Sequence, residues 1–421
     1  MMHYLLLAII YLIIPVLHFV SFLFELPFFG IAEGVNYGIA IMAFYTIFNH
    51  LLITVKLPLF QSIFPYDKNI KLHAFSGIFV LTAVFYHAIF KILVGKYINL
   101  ISWSLLFLTF LLLSLSALWI DTPMTRAFRK KVLKGKQLSY DLLKSIHAYL
   151  FPVMGIFLYL HILDAGLLDT ANAFSSGYAR IFPIVVLLVV LFSKFRKYFL
   201  PLVTLTDNRQ VGDISILTFT KPKHRKNTYK AGQFGYIQWC QKGIGKEEHP
   251  FSYLSCPSDE SIMLGVKGSG DFTRKIATFT KGYQAKINGG FGNFIPNYAA
   301  RQVVLIGSGI GIVPIISLIR QMKANPLSQK VICFLSVMTR EELLLEKELF
   351  ALQDSNLELH CLIFQEDKIL YTAEFFKTYV KEPDLATYYI CSSPNVRNIV
   401  LRELEKLEVS ARQCHYEAFS Y

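Results

Sequence analysis

Four histidines recur at one interval in two strongly apolar stretches. His73 and His87 lie fourteen residues apart in KLHAFSGIFVLTAVFYHAIFK, and His147 and His161 lie fourteen apart in SIHAYLFPVMGIFLYLHIL. Fourteen residues of α-helix rise about 21 Å and rotate about 40° short of four full turns, so each pair shares one helix face at two depths. Neutral imidazole in an apolar segment is a good axial ligand for haem iron. The repeated spacing therefore predicts two stacked bis-histidyl haems.

Two other interpretations of these histidines stay open. Each imidazole could instead hydrogen-bond to a neighbouring helix, which is the interpretation that we favour for the single histidines His18 and His50. Zinc is disfavoured, because the apolar runs contain no carboxylate or thiolate beside either pair. Lys91, one turn beyond His87, either meets a haem propionate or an acceptor, or extends to the membrane surface.

Composition divides the chain into an apolar part and a mixed part. The 421 residues are 54% hydrophobic and 17% charged, as in a membrane protein, whereas residues 200–421 mix charge, glycine and alternating apolar positions. The net charge of +13 does not indicate nucleic-acid binding, because seven Lys and Arg residues lie in 122–144, between two apolar runs. All six cysteines follow residue 200 without a CxxC pair, which favours a soluble half in a reducing cytoplasm.

Six apolar runs are long enough to cross a bilayer core of about 30 Å. The first lacks the basic start and cleavage site of a signal peptide. Basic residues follow the fourth and sixth runs, which predicts cytoplasmic termini in a plasma membrane, although Lys91 and Lys96 fall on the outer side. The third and fifth runs then point the same way, so His73 pairs with His147 and His87 with His161. The runs are Tyr4–Phe24, Val35–Phe60, Leu72–Val94, Ile98–Ile120, Ser145–Leu163 and Ile181–Phe199.

After residue 200 the pattern becomes that of a two-domain soluble enzyme. Alternating segments such as 213–220 and 234–239 predict a small antiparallel barrel over 201–299. A short apolar strand (303–306), the turn GSGIG (307–311) and a helical run then predict a phosphate-binding α/β domain over 300–421. Such a glycine turn is weak evidence alone. Other stretches follow in order: AGQF (231–234), HPFSYLS (249–255), KGSGDFT (267–273), NGGFGNF (288–294), YYICSSP (388–394) and HYEAFSY (415–421).

The histidine pairs and these stretches together resemble the NADPH oxidase and ferric reductase superfamily in a compact bacterial form. The resemblance covers nearly the whole chain. It implies a six-helix transmembrane haem-binding bundle over 1–200, fused to a ferredoxin-reductase-like module with an antiparallel β-barrel FAD domain and an α/β NAD(P)H domain. The implied cofactors are FAD, two b-type haems and NADPH or NADH. The chain lacks the calcium-loop pattern of calcium-regulated members, and no regulatory subunit is indicated.

The resemblance also implies individual site residues. The family's dinucleotide turn matches GSGIGIVP and implicates Gly307, Gly309, Gly311 and Pro314. Its late cysteine near the nicotinamide maps onto Cys391, although the usual Cys-Gly-Pro is here Cys-Ser-Ser-Pro. Its terminal flavin-covering aromatic is Phe419 or Tyr421, and we choose Phe419 because it follows Glu417 as in the family's E-x-F ending. The flavin motifs implicate Gln233, Phe234, His249, Pro250, Phe251, Ser252, Gly270, Asp271, Phe272 and Thr273.

One arginine bears on the choice of nicotinamide cofactor. Arg340 follows the second strand of the α/β domain, beside Ser336, where it could reach an adenosine 2′-phosphate. That position favours NADPH. Alternatively, Arg340 balances Glu341 and Glu342 at a helix start, and use of NADH stays open.

We therefore expect electron transfer across the membrane, from cytoplasmic NAD(P)H through FAD, the inner haem and the outer haem to an external acceptor. Bis-histidyl ligation leaves no open iron position, so oxygen would be reduced at the haem edge to superoxide. Three alternatives stay open: a ferric or cupric reductase on the same scaffold, an electron donor to an external partner protein, and a transporter with histidine proton relays.

Overall fold

The computed structural model of the chain divides into two compact units, Met1–Phe195 and Arg196–Tyr421, which are described one at a time. The described residues are 9–23, 30–53, 55, 66–95, 100–119, 140–165, 173–222, 229–245, 247–298, 300–325, 329–343, 345, 349–351, 353–368 and 371–418. The basic residues of 122–139 and Lys96 lie outside them, so the predicted orientation in the membrane stays a prediction.

The first unit is helical in the part of the chain that the structure describes. Four of its helical stretches are long and apolar enough to cross a membrane by length and composition: Ile31–Leu52, Phe75–Leu93, Ser145–Asp164 and Ser176–Phe199. A shorter apolar stretch covers Leu106–Leu115. The number of six spans stays a prediction. The helices are α1 (Ile14–Leu23, after a π-helical turn at Ile9–Ile13), α2 (Ile31–Ile53), α3 (Tyr66–Leu93), α4 (Leu100–Trp119), α5 (Tyr140–Asp164) and α6 (Ala173–Arg196).

Helix α2 lies at the centre of this unit. Its aromatic side chains Phe44, Tyr45 and Phe48 are fully buried, and they pack with residues of α3, α5 and α6. By contrast, α3 exposes large apolar side chains such as Phe75 and Ile89. An apolar outer surface around a tightly packed interior suits a helix bundle surrounded by lipid.

The second unit begins with a six-stranded sheet in which every neighbouring pair is antiparallel. The spatial order is β4-β3-β6-β1-β2-β5, so the chain does not simply run from one edge to the other. The predicted segments 213–220 and 234–239 form β2 and β3. The strands are β1 (Leu202–Val211), β2 (Ile214–Thr220), β3 (Phe234–Trp239), β4 (Glu248–Ser252), β5 (Ser261–Lys267) and β6 (Gln284–Phe291), with the short helix α7 (Asp271–Ile276) before β6.

The chain then forms a five-stranded parallel sheet in the order β11-β10-β7-β8-β9. The chain runs outward from β7 through β8 to β9 and then returns to form β10 on the other side of β7. The strand order therefore reverses at β7 and β10, and ligands of such sheets usually bind at the carboxyl ends of the strands at this topological switch point. The elements are β7 (Val303–Ser308), α8 (Ile312–Ala324), β8 (Val331–Val337), β9 (Leu357–Ile363), α9 (Phe364–Asp367), α10 (Ala373–Tyr379), β10 (Thr387–Ser392), α11 (Pro394–Glu405) and β11 (Cys414–Ala418).

Helix α8 joins the two sheets into one core. Its residues from Ile312 to Ile319 are all buried, and they pack with Ile214 and Leu254 of the antiparallel domain and with the strands of the parallel sheet. Polar contacts reinforce this position, since the Ser317 hydroxyl donates to the Ser255 carbonyl at 2.6 Å. The predicted barrel and α/β domains are therefore joined by a buried helix.

The start of α8 permits a testable prediction, because a Cβ atom on Gly311 would overlap the carbonyl group of Cys391. Gly311 has an ordinary helical φ of −63°, so Gly311→Ala adds steric conflict without backbone strain. We expect a destabilisation of about 1–3 kcal/mol and a fall of several degrees in unfolding temperature, measured by thermal unfolding of the detergent-purified chain. Gly245→Ala, in an exposed loop with room for the methyl group, is the control and should leave the transition unchanged.

Candidate functional site

The predicted inner histidine pair comes together in the first unit. His73 on α3 and His147 on α5 have ring centroids 6.1 Å apart, with planes at 89°. Two imidazoles that bind one metal ion from opposite sides at about 2 Å each have nitrogens about 4 Å apart and ring centres about 6 Å apart. The buried Nδ1 of His73 has no hydrogen-bond partner among the described residues. This geometry suits two axial ligands of one haem.

The outer pair is His87 on α3 and His161 on α5, each fourteen residues after the inner histidine of the same helix. The described residues contain no group of three or more His, Cys, Asp or Glu side chains that could hold a metal ion. A zinc site needs three or four such ligands, whereas a haem iron needs only two from the protein.

The single histidines make contacts to neighbouring helices, in agreement with the interpretation favoured for them from the sequence. His50 on α2 hydrogen-bonds Ser76 on α3 at 2.6 Å, and its ring lies 4.5 Å from that of His73. His18 on α1 hydrogen-bonds the Tyr45 hydroxyl at 3.3 Å.

Lys91 on α3 has its charge neutralised inside the unit. Its ammonium group lies 3.4 Å from the Glu33 carboxylate and donates to the Tyr37 hydroxyl at 2.5 Å. The Lys91 and Glu33 side chains are only 15% and 14% exposed. The lysine therefore ends in an ion pair with α2 and does not present an isolated positive charge.

Three predicted flavin stretches lie side by side on the antiparallel sheet. In β3, Phe234 is paired with Ser252 of β4 on one side and with Phe291 of β6 on the other. The stretches AGQF, HPFS and NGGF are well separated in sequence, yet this register makes them neighbours. Their alignment is what a single bound cofactor across β4-β3-β6 requires.

His249 links this surface to the loop that precedes α7. Its imidazole stacks on the Phe272 ring with centroids 3.7 Å apart and planes 15° apart. Glu247 lies 3.6 Å from the same imidazole. The HPFS and KGSGDFT stretches therefore meet directly, through two of the predicted flavin residues.

Other predicted flavin residues have contacts within the protein itself. The Gln233 amide accepts from the Lys230 N–H at 2.7 Å and donates to the carbonyls of Gly290 and Gly292 at 3.2 and 2.9 Å. It therefore fastens the turn before β3 to the end of β6. Whether Gln233 also contacts the cofactor stays a prediction.

The KGSGDFT loop closes on itself in a similar way. Thr273 accepts from the Gly270 N–H at 2.8 Å, and Asp271 pairs with Arg274 at 2.8 Å. The Asp271 side chain is 94% exposed. These contacts fix the turn and leave the loop surface accessible.

The predicted dinucleotide turn and the late cysteine lie together at the switch point. Gly307 at the end of β7 is paired with Cys391 of β10, and Gly309 has a φ of +57°, which favours glycine. Gly311 follows and lies against the carbonyl group of Cys391, with no room for a Cβ atom. Pro314 lies in the first turn of α8, where a missing N–H costs nothing, and is itself buried. The glycines of this motif therefore have two roles: Gly309 permits the left-handed backbone of the turn, and Gly311 permits close packing against β10.

Cys391 is completely buried, and this burial, together with the nearby Glu417 charge, raises the pKa of its thiol well above the ordinary value. The thiol is therefore neutral near pH 7. Glu417 on β11 also approaches the end of β6, because a Cβ atom on Gly292 would lie 2.6 Å from its carboxylate. The ends of β6, β10 and β11 thus converge beside the cysteine.

The departure from Cys-Gly-Pro has a structural explanation. Ser393 is the N-cap of α11, and its hydroxyl accepts from the Val396 N–H at 3.5 Å. Pro394 follows in the first helical turn, where proline is favoured. The inserted serine therefore starts the helix.

Arg340 pairs with an acidic residue other than the two considered from the sequence. Its guanidinium makes a bidentate contact with Glu366 of α9, at 2.7 and 3.2 Å. Ser336 lies beneath this loop and donates to the Gly307 carbonyl at 3.4 Å. The sequence reasoning missed Glu366, since nothing in a linear pattern signals a partner 26 residues away.

The predicted flavin-covering residue, Phe419, and its alternative, Tyr421, lie outside the described residues. Asn36, which contacts His87, was also missed. The available signal was an amide within a mostly apolar helix.

An antiparallel domain followed by a parallel α/β domain with its glycine turn at the switch point defines a ferredoxin-reductase-like flavoprotein module, here in a chain with several apolar helices. The model of an FAD-binding domain matches residues 203–301. The chain is 32% identical over 139 residues to respiratory burst oxidase homolog protein D of Arabidopsis thaliana, and 32% over 116 residues to a superoxide-generating NADPH oxidase heavy chain of Dictyostelium discoideum. These matches cover 27% and 23% of this chain.

The FAD-binding domain and these relatives make part of the chain similar to proteins of the NADPH oxidase and ferric reductase superfamily. The chain spans only 15% and 16% of the two relatives' own lengths. Among solved structures, the ferredoxin NADP+ reductase from Neisseria gonorrhoeae is 17% identical, with a TM-score of 0.45, over 52% of this chain and 98% of that one.

The burial of Cys391 makes a prediction about thiol reactivity. Because the thiolate is the reactive species, a buried thiol with a raised pKa should react slowly at neutral pH. We expect iodoacetamide to modify the exposed Cys240 first and Cys391 at least about 100-fold more slowly, as followed by peptide mass spectrometry. Comparable rates in the native protein would contradict the buried position, and denaturation should abolish the difference.

Proposed function

We propose that this chain is an integral membrane flavocytochrome that transfers electrons from cytoplasmic NAD(P)H to an acceptor outside the cell, with oxygen as the acceptor and superoxide as the product. The observation that carries the proposal is the pairing of His73 with His147 on apolar helices of a chain that also contains an FAD-binding domain. When bound, FAD would accept hydride and release single electrons, and two b-type haems would conduct them through the apolar unit.

The first unit would hold the haems through two imidazole pairs, His73 with His147 and His87 with His161. Apolar packing between the two depths, including the buried Val80 and Met154, excludes water from this part of the bundle. The distribution of basic residues in the sequence supports the further proposal of a bacterial plasma membrane protein with six spans and cytoplasmic termini.

The second unit would bind FAD along β4-β3-β6 and the nicotinamide nucleotide at the switch point. The stacked His249 and Phe272 side chains hold two predicted flavin stretches together, and the turn from Gly307 to Gly311 would offer backbone N–H groups to the phosphates of a bound nucleotide. The buried, neutral Cys391 thiol would lie at the switch point where hydride would be transferred.

The ion pair of Lys91 bears on the acceptor. An anionic metal chelate would be attracted by an unpaired positive charge near the outer histidines, whereas Lys91 is neutralised by Glu33. This favours a small neutral acceptor such as oxygen over a ferric or cupric chelate. A protein acceptor is the remaining alternative, and a direct reaction of the purified chain with oxygen would argue against it.

The spectrum of the purified full-length protein tests the proposal. With FAD added under anaerobic conditions, NADPH should reduce low-spin b-type haem bands, and admission of air should reoxidise them with release of superoxide. His147→Ala removes one axial ligand, so we expect haem content to fall from about two to about one per chain and turnover to fall at least about 100-fold, while FAD reduction persists.

The matched control is His18→Ala, which removes a buried histidine that belongs to neither pair. It should retain both haems. Full haem content in His147→Ala would contradict the assignment of His147 as a haem ligand. Haem bands that are reduced by NADPH but are not reoxidised by oxygen would instead support a ferric or cupric reductase, or an electron donor to a partner protein.

The contact between Arg340 and Glu366 predicts how cofactor preference is set. The carboxylate competes with a 2′-phosphate for the same guanidinium, so Glu366→Gln should lower the KM for NADPH by about two- to five-fold, the range of an exposed ion pair. The KM for NADH should not change, because NADH carries no such phosphate. The measurement is steady-state reduction of ferricyanide by the full chain. Equal changes for both nucleotides would exclude this role, and Arg340→Leu should raise the KM for NADPH selectively.

A further inference from the structure

A fully buried amide lies in the interior of the apolar unit beside an outer histidine. Asn36 on α2 has no exposed surface, and its Oδ1 lies 2.8 Å from Nδ1 of His87 on α3. The two residues are 51 positions apart in sequence. The contact is therefore made by helix packing and not by chain proximity.

Burial of this amide has an energetic cost that packing alone does not explain. The Nδ2 atom of Asn36 has no hydrogen-bond partner among the described residues. An unsatisfied buried polar group costs about 1–3 kcal/mol, and an apolar residue of similar size would avoid that cost. The hydrogen bond to His87 is the contact that an apolar residue could not make.

The direction of the hydrogen bond determines which nitrogen of His87 is available. An amide oxygen only accepts, so Nδ1 of His87 must carry the proton and donate it. A neutral imidazole carries one N–H, which leaves the lone pair on Nε2. Asn36 thus holds the ring in the tautomer that an axial ligand needs.

The neighbouring contacts hold α2 and α3 in this arrangement. Glu33 and Tyr37 lie three residues before and one residue after Asn36, on the same side of α2, and both contact Lys91, four residues after His87. Two polar contacts, one turn apart on each helix, therefore fix the rotation of both helices around the Asn36–His87 bond.

The other predicted ligands are held differently. His147 hydrogen-bonds to the backbone of Leu113, and the Nδ1 of His73 lacks a partner among the described residues. The second nitrogen of His87, by contrast, is bonded to the side chain of Asn36. The surroundings of His87 can therefore be altered by substitution without touching the ligand itself.

We propose that Asn36 is a positioning residue for His87 as an axial ligand of the outer haem. It fixes the orientation and tautomer of the imidazole. Its hydrogen bond increases the electron donation of the ring, which favours ferric iron and lowers the reduction potential of that haem. The inference rests on the proposed function, since it requires that His87 binds haem.

The experiment is a potentiometric titration of the full chain in detergent, with the haem bands and low-temperature EPR as readouts. Asn36→Leu removes the acceptor, and Asn36→Asp replaces it with a stronger one. Thr46→Val is the matched control, because Thr46 is a buried polar residue of the same helix whose hydroxyl bonds only the Met42 carbonyl among the contacts described.

We expect Asn36→Leu to raise the potential of one haem and shift its highest EPR g-value, Asn36→Asp to lower that potential, and Thr46→Val to change neither. Loss of only the outer haem in Asn36→Leu with retention in Asn36→Asp would also support positioning. If Asn36→Leu does not fold, the change in reduction potential of Asn36→Asp tests the inference by itself. Unchanged potentials and EPR spectra in a variant that folds would overturn the inference. Absence of haem from the unmodified protein would instead overturn the proposed function.

Discussion

The burial of α8 between two sheets is the constraint on which the second unit depends. Its apolar residues face both the antiparallel domain and the parallel sheet, so neither sheet has a complete core without it. The N-cap of this helix, Gly311, has no room for a Cβ atom against Cys391. The same contact that completes the core therefore brings the dinucleotide turn beside the cysteine, and fixes the edge where hydride transfer would occur.

In the first unit, the corresponding constraint is the need to satisfy polar groups inside an apolar bundle. The lone histidines, Asn36 and Lys91 all have partners on another helix. Such contacts define helix rotation more strictly than apolar packing, because a hydrogen bond tolerates little displacement. The positions of the histidine side chains and the packing of the helices are thus coupled, and a change at one helix face alters the other.

Contacts that looked functional in the sequence often proved to hold the protein's own backbone. Gln233 bonds three backbone groups of adjoining turns, and Thr273 closes the turn at Gly270. Ser393 caps α11. These side chains shape loops whose backbone N–H groups then remain available, so a cofactor site can be built on rigid turns without each motif residue contacting the cofactor.

The sequence by itself determined the division into an apolar and a mixed part, the strands near 213–220 and 234–239, the βα turn at 307–311 and the resemblance to a superfamily, because periodicity, hydropathy and short motifs are local properties. It also singled out His73 and His147. Tertiary structure decided the alignment of β4, β3 and β6, the stacking of His249 on Phe272, and the partners of Asn36, Lys91 and Arg340. The side-chain contacts among these join residues 23 to 58 positions apart, and only the packing of whole elements brings such residues together.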